Sequence, residues 1–172
     1  MASSSTLSSA RLLAIYLRHH AAASRGGLNL VERSAGRQLS PQARRELGDL
    51  ANDVAQDREH LLDILRRLGV QRPRVAEVLV ALAETVARLK PNGTLVRRSP
   101  LSDVIELEAL STAVEAKRLG WVTLRVVGER DDRFDTAELD ALIRRAADQR
   151  DRLEELRRQA VVGALAGAGS VR

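Results

Sequence analysis

The stretch SPQARRELGDLANDVAQDREHLLDILRRLG, residues 40–69, decides the fold. Ser40 is a helix-capping residue, and Pro41 suits the first helical position, where a missing N–H leaves nothing unsatisfied. Leu47, Leu50, Val54, Asp57, Leu61, Ile64 and Leu68 then recur at alternating spacings of three and four. That is a heptad seam with one polar interruption. Gly69 follows as a C-terminal cap. An amphipathic helix of this length needs other helices against which to bury its seam.

Outward from this segment the same grammar repeats. On the N-terminal side a helix is expected from about Ala10 to Gln38, capped by Ser8 or Ser9, with Leu13, Tyr16, Leu17, Ala23, Gly27, Leu30 and Val31 along one stripe. Gly26-Gly27 marks a kink or a close approach by a neighbour. Residues 1–9, small and polar, read as a disordered tail. On the C-terminal side Val70 to Pro100 is a long connection. Within it, Pro73 to about Leu89 predicts a shorter helix carrying Val75, Val78, Leu79, Leu82, Val86 and Leu89, and Pro91-Asn92-Gly93 is a turn signal.

Ser99-Pro100 opens a further long helix to about Val127, with Asp103 in the first turn, where the helix dipole favours an acid. Leu107, Leu110, Val114 and Trp121 form one stripe on it. Leu101, Val104, Ile105, Leu119, Val122 and Val126 form another, so this helix is expected to be central and buried. Gly128 to Asp135 is a charged turn. The last helix runs from Thr136 to about Leu165 on the seam Leu139, Leu142, Ala146, Gln149, Leu153, Leu156, Ala160, and residues 167–172 fray.

The expected fold is therefore all-α: one four-helix bundle over residues 10–166, built of two helical hairpins joined by a long crossover that contains a shorter helix. Hairpins joined by one long crossover describe the ferritin-like topology. An up-down-up-down bundle with an extra helix is the rival, and the end of the bundle that the crossover reaches stays open.

Composition agrees. Of 172 residues 44% are hydrophobic, yet only Tyr16, Trp121 and Phe134 are aromatic, so the core must be Leu, Val, Ile and Ala. Such a chain favours helices over a sandwich or barrel. The absence of cysteine excludes disulfides, thiolate metal sites and a Cys nucleophile, and suits a reducing compartment. No apolar run approaches the ~20 residues of a membrane span, and no signal-peptide pattern opens the chain. The expected address is the cytoplasm, with no membrane partner. The net charge of +5 is carried by arginine, with Lys90 and Lys117 the only lysines. The bias reads as codon composition before it reads as phosphate binding.

The informative residues are those that break the apolar seams: His20, Asp57, Glu108, Glu115 and Gln149. His20, Asp57, Glu115 and Gln149 fall near the middle of their helices, which predicts one buried polar layer. Unpaired burial would cost several kcal/mol, so the layer must bond to itself, to water or to a metal. Pairing of His20 with Asp57 and of Gln149 with Glu115 would satisfy it without a ligand.

Two hairpins, a crossover and a mid-bundle polar layer resemble the ferritin-like superfamily. The segments IYLRHH, RLKPNGTLVRRSPLSDVIELEAL and LGW further resemble a bacterial group of small ferritin-like proteins with an incomplete di-iron ligand set. The resemblance spans roughly residues 10–160 and brings no activity with it. Di-iron members use a Glu from each of two helices and Glu-x-x-His from the other two. Here the first helix offers His20, the second Asp57 with His60, the third Glu115 or Glu108, and the fourth Gln149 with no histidine. A paired metal centre is not expected, and no cofactor is. A single Fe, Mn or Zn ion on His20, Asp57, His60 and Glu115 is the alternative, which would make the chain a metal-binding protein or a metal-dependent oxidase.

Other candidates are weaker. Lys117 reads first as a salt-bridge partner and second as a buried amine able to form a Schiff base. Arg88, Lys90, Arg97 and Arg98 make a basic crossover loop that could hold an anion near a helix N-terminus, but solvated loop charge is the preferred explanation. Neither a nucleic-acid module nor stacking aromatics accompany it, which argues against nucleic acid. No Gly-x-Ser-x-Gly elbow, Walker loop, dinucleotide fingerprint or His-Glu-x-x-His motif occurs. The expected role is non-catalytic, structural or interactive, with self-association, a dimer favoured.

Overall fold

A computed structural model describes residues 8–38, 40–72 and 99–166, and all regular structure among them is helical. Helix α1 spans Ser9–Ala35, α2 Pro41–Arg67, α3 Pro100–Gly128 and α4 Thr136–Val161, the last running on into a π-helical turn, Val162–Ala166. The tails at residues 1–7 and 167–172 and the expected short helix from Pro73 to Leu89 lie outside the described residues. None of the described helices is long and apolar enough to cross a membrane.

The helix boundaries follow from local chemistry. Ser8 Oγ accepts from the Arg11 N–H and Ser40 Oγ from the Ala43 N–H, each at 3.4 Å. Asp135 caps α4 by accepting from the N–H groups of Ala137 and Glu138 at 2.9 and 3.1 Å. Such caps satisfy donors that have no intrahelical partner. Gly69 stops α2 with φ of +66°, a conformation glycine adopts freely, and the Val70 N–H returns to the Leu65 carbonyl at 2.9 Å. α1 stops at Ala35, short of the expected Gln38, because Gly36 and Arg37 turn the chain.

The core falls into two clusters. One gathers Leu17 and Ala21 of α1, Leu61 to Leu65 of α2, Trp121 and Leu124 of α3, Phe134, and Leu139 to Ala146 of α4. The other gathers Leu28 and Val31 of α1, Ala43 to Leu50 of α2, Leu107 to Val114 of α3, and Leu153 and Leu156 of α4. The beginnings of α1 and α4 thus share one end with the finishes of α2 and α3. Each hairpin is antiparallel, and α2 runs parallel to α3. The chain leaves α2 at one end and enters α3 at the other, about 40 Å away for helices of this length.

α3 departs from its expected central burial. Val104, Leu107, Leu110, Val114, Trp121 and Leu124 are buried, but Leu101, Leu119 and Val126 are exposed. A helix in a four-helix packing touches neighbours on one side only, so a second apolar stripe has no described helix to meet. α1 is also turned relative to expectation. Its most buried residues are Leu17, Ala21, Ala22 and Val31, whereas Ala23 is exposed.

Candidate functional site

Three seams deliver polar side chains to the boundary between the two apolar clusters. α2 brings Asp57, α4 brings Gln149, and α3 brings Lys117. Asp57 and Gln149 are 2% and 1% exposed. The Lys117 amine donates to Asp57 Oδ2 and to Gln149 Oε1, and Gln149 Nε2 donates to Asp57 Oδ2 at 2.9 Å. Arg145 Nε lies 3.3 Å from Asp57 Oδ1 without hydrogen-bond alignment, so that oxygen has an ion-pair neighbour but no hydrogen bond among the described residues. Burial holds Lys117 below the usual lysine value, and the Asp57 carboxylate offsets only part of that.

Arg145 continues the network toward solvent, donating to Gln56 Oε1 at 2.7 Å and Asp53 Oδ1 at 3.3 Å. Arg152 donates to Asp53 Oδ2 at 2.7 Å. Together these residues stitch α2 to α4.

The acidic candidates sit elsewhere. Glu108 is exposed and lies 3.7 Å from Arg157, so it is no part of a buried layer. Glu115, half-buried, accepts from Arg118 on its own helix at 2.7 and 2.9 Å, which holds its carboxyl below the usual range. The pairings of His20 with Asp57 and of Gln149 with Glu115 give way to a triad around Lys117. The reason is angular: Glu108 and Glu115 each follow a seam residue by one position, which turns them about 100° away.

His60 likewise leaves Asp57 and meets Glu138, Nδ1 to Oε1 at 3.2 Å, beside an Arg67 to Glu138 hydrogen bond of 2.7 Å. The structure therefore does not bring His20, Asp57, His60 and Glu115 to one point, and no group of three or more potential metal-ligating residues is found among the described residues. Arg88, Lys90, Arg97 and Arg98 lie outside the described residues.

His20 stacks at an angle on Tyr16, ring centroids 4.5 Å apart, and presses on α3 where Gly120 leaves room. A Cβ at Gly120 would sit 3.1 Å from the His20 ring. Burial first, then the neighbouring His19, lowers the His20 pKa. His20 and Asp57 do share a feature: both line a cavity of about 550 Å³, open to solvent on one side, between α1, α2 and α3. Its wall is mostly apolar or small, with Ala23, Gly27, Leu30, Ala113, Val114 and Leu124 beside Lys117, Arg58 and Trp121. Of the expected α1 stripe, Tyr16, Leu17, Ala23, Gly27, Leu30 and Val31 line this wall and Leu13 does not.

No family model, curated protein or solved structure matches the chain. The site must then be read from its own chemistry. Lys117 is the residue the seams hide. Leu107, Leu110, Val114, Trp121 and Leu124 leave one gap in a heptad, and position 117 fills it.

Proposed function

We propose that this chain is a non-catalytic helical bundle of ferritin-like architecture that serves a structural or interaction role in the cytoplasm and associates with itself. One observation carries the reading. At mid-bundle, where a carboxylate-bridged protein of that architecture holds metal between its helices, the Lys117 ammonium group stands between Asp57 and Gln149. The chain supplies its own cation there. Antiparallel hairpins with α2 parallel to α3 support the architecture, because that order requires one crossover along the full length of the bundle.

A buried charge pair of this kind gives little net stability over an apolar layer, but it penalises every register in which the partners miss each other. Its role in this reading is to fix how the hairpins mate. The exposed Leu12, Ile15, Leu119 and Val126, all toward the same end, supply an apolar surface for self-association.

Elemental analysis of protein purified without added metal is the test of the first part. Sub-stoichiometric Fe, Mn and Zn is expected, and one equivalent of any of them overturns it. Sedimentation equilibrium tests the second: a dimer is expected, reduced to monomer by Leu119→Glu with Val126→Glu. A wild-type monomer at micromolar concentration refutes self-association.

A further inference from the structure

The cavity between α1, α2 and α3 has the size and lining of a small-molecule site, since ligand pockets run from roughly 300 to 1,000 Å³ and are mainly apolar with a few placed polar groups. Its polar groups are unbalanced. The Trp121 indole N–H is buried, with Trp121 only 3% exposed, and has no acceptor among the described residues. Arg58 Nε is buried with no acceptor among the described residues either. Lys117 spends two bonds on Asp57 and Gln149 and has a third N–H to give. Asp57, the only carboxylate on the wall among the described residues, accepts from Gln149 and Lys117 through Oδ2, while its Oδ1 has the Arg145 guanidinium 3.3 Å away and no hydrogen bond.

Charge points the same way. Burial lowers the Arg58 pKa, Glu59 opposes that, and the positive charges of Arg25 and Arg72 add to the lowering. Arg58 thus has one anionic neighbour, the exposed Glu59 at 3.5 Å from its Nη1, which leaves the buried Nε without a partner among the described residues. Buried donors without acceptors are costly, and an anionic acceptor would relieve both the Arg58 and the Trp121 donor while taking the remaining Lys117 N–H.

We propose that this cavity binds a monocarboxylic acid with an elongated apolar body, of the fatty-acid class. Its carboxylate accepts from Arg58, the Trp121 N–H and the free Lys117 N–H. Its chain lies along the small and aliphatic wall of Ala23, Gly27, Leu30 and Ala113. This site is independent of the self-association proposed above and needs no metal.

Trp121 is the only tryptophan in the chain, so its fluorescence reports the site directly. Titration of the whole protein with sodium decanoate, followed at the tryptophan emission, is expected to give a saturable change. Decanol, with the same chain and no charge, should bind about tenfold more weakly, the equivalent of one charge-assisted hydrogen bond. Arg58→Gln should remove most of that preference.

Gly27→Phe is the control for place, because a Cβ at Gly27 meets nothing within 4 Å and the ring has open space to fill. It should abolish the response while far-UV circular dichroism stays helical. Absence of a saturable change, equal binding of decanol, an unaltered response in Gly27→Phe, or full preference retained in Arg58→Gln each overturns the proposal.

Discussion

The two seams that join the hairpins are built on opposite principles. Between α2 and α4 a polar ladder runs beside the leucines of both clusters: Asp53, Gln56, Asp57 and Glu138 face Arg67, Arg145, Gln149 and Arg152 through hydrogen bonds and ion pairs. Between α1 and α3 the contact is made of small residues and one ring packed on a glycine, with a cavity left over. The polar seam specifies which residues must lie opposite each other. The apolar seam specifies less: His20 fits Gly120 closely, but the alanines and the other glycines can pack in many registers. Lys117 couples the two: it stands on α3, lines the cavity, and bonds to α2 and α4.

The largest effect should come from breaking that coupling. Asp57→Ala leaves the Lys117 ammonium buried and unpaired, and is expected to cost about 3–5 kcal/mol in urea unfolding. Replacing the layer as a whole, with Asp57→Leu, Lys117→Met and Gln149→Leu together, should restore wild-type stability or exceed it, while losing the single register. A triple variant as unstable as Asp57→Ala would show that the layer contributes stability rather than specificity.

The apolar seam is next. Gly120→Ala gains helix propensity of about 1 kcal/mol, but the new methyl group meets His20 at 3.1 Å. With the ring also stacked on Tyr16, overpacking of about 1–3 kcal/mol is expected to win. Adding His20→Ala should reverse the sign of the Gly120→Ala effect. If Gly120→Ala stabilises the wild-type background, the contact is looser than its geometry.

His20 also gives the apolar seam a pH dependence. Its folded pKa is lowered, so the unfolded chain takes up the proton first as pH falls. Stability should be fully present above about 6.5, the ordinary histidine value, and should decline as pH drops through the lower folded value. His20→Asn should remove that part of the decline when melting temperatures at neutral and mildly acidic pH are compared.

The smallest effect belongs to the outer rungs of the ladder. Arg152→Ala removes a partly exposed ion pair to Asp53 and is expected to cost about 0–1 kcal/mol, vanishing in high salt. A larger, salt-resistant loss would place Arg152 with the buried layer.

This contrast also explains what could be read in advance. The seams of α2 and α4 are legible because leucine and one polar residue alternate with charges, and Asp57 and Gln149 stand out as the exceptions. α3 is harder. Its apolar residues ring the helix, so periodicity does not single out the inner stripe, and acidic residues one position off the seam draw the eye from Lys117. α1 is harder still. Ala21, Ala22, Ala23, Gly26 and Gly27 carry little hydrophobic contrast, so its inward face is decided by neighbours. The cavity is invisible in any one segment because three helices form it.

The helix directions have a practical consequence for engineering. Ser9 and Val161 sit at opposite poles of the molecule, since α1 begins where α4 also begins and α4 finishes beside the finish of α1. Labels placed on those two residues would stand about 40 Å apart. A circular permutant that splices them with a few residues cannot close, whereas tandem copies joined there would string pole to pole like beads on a rod.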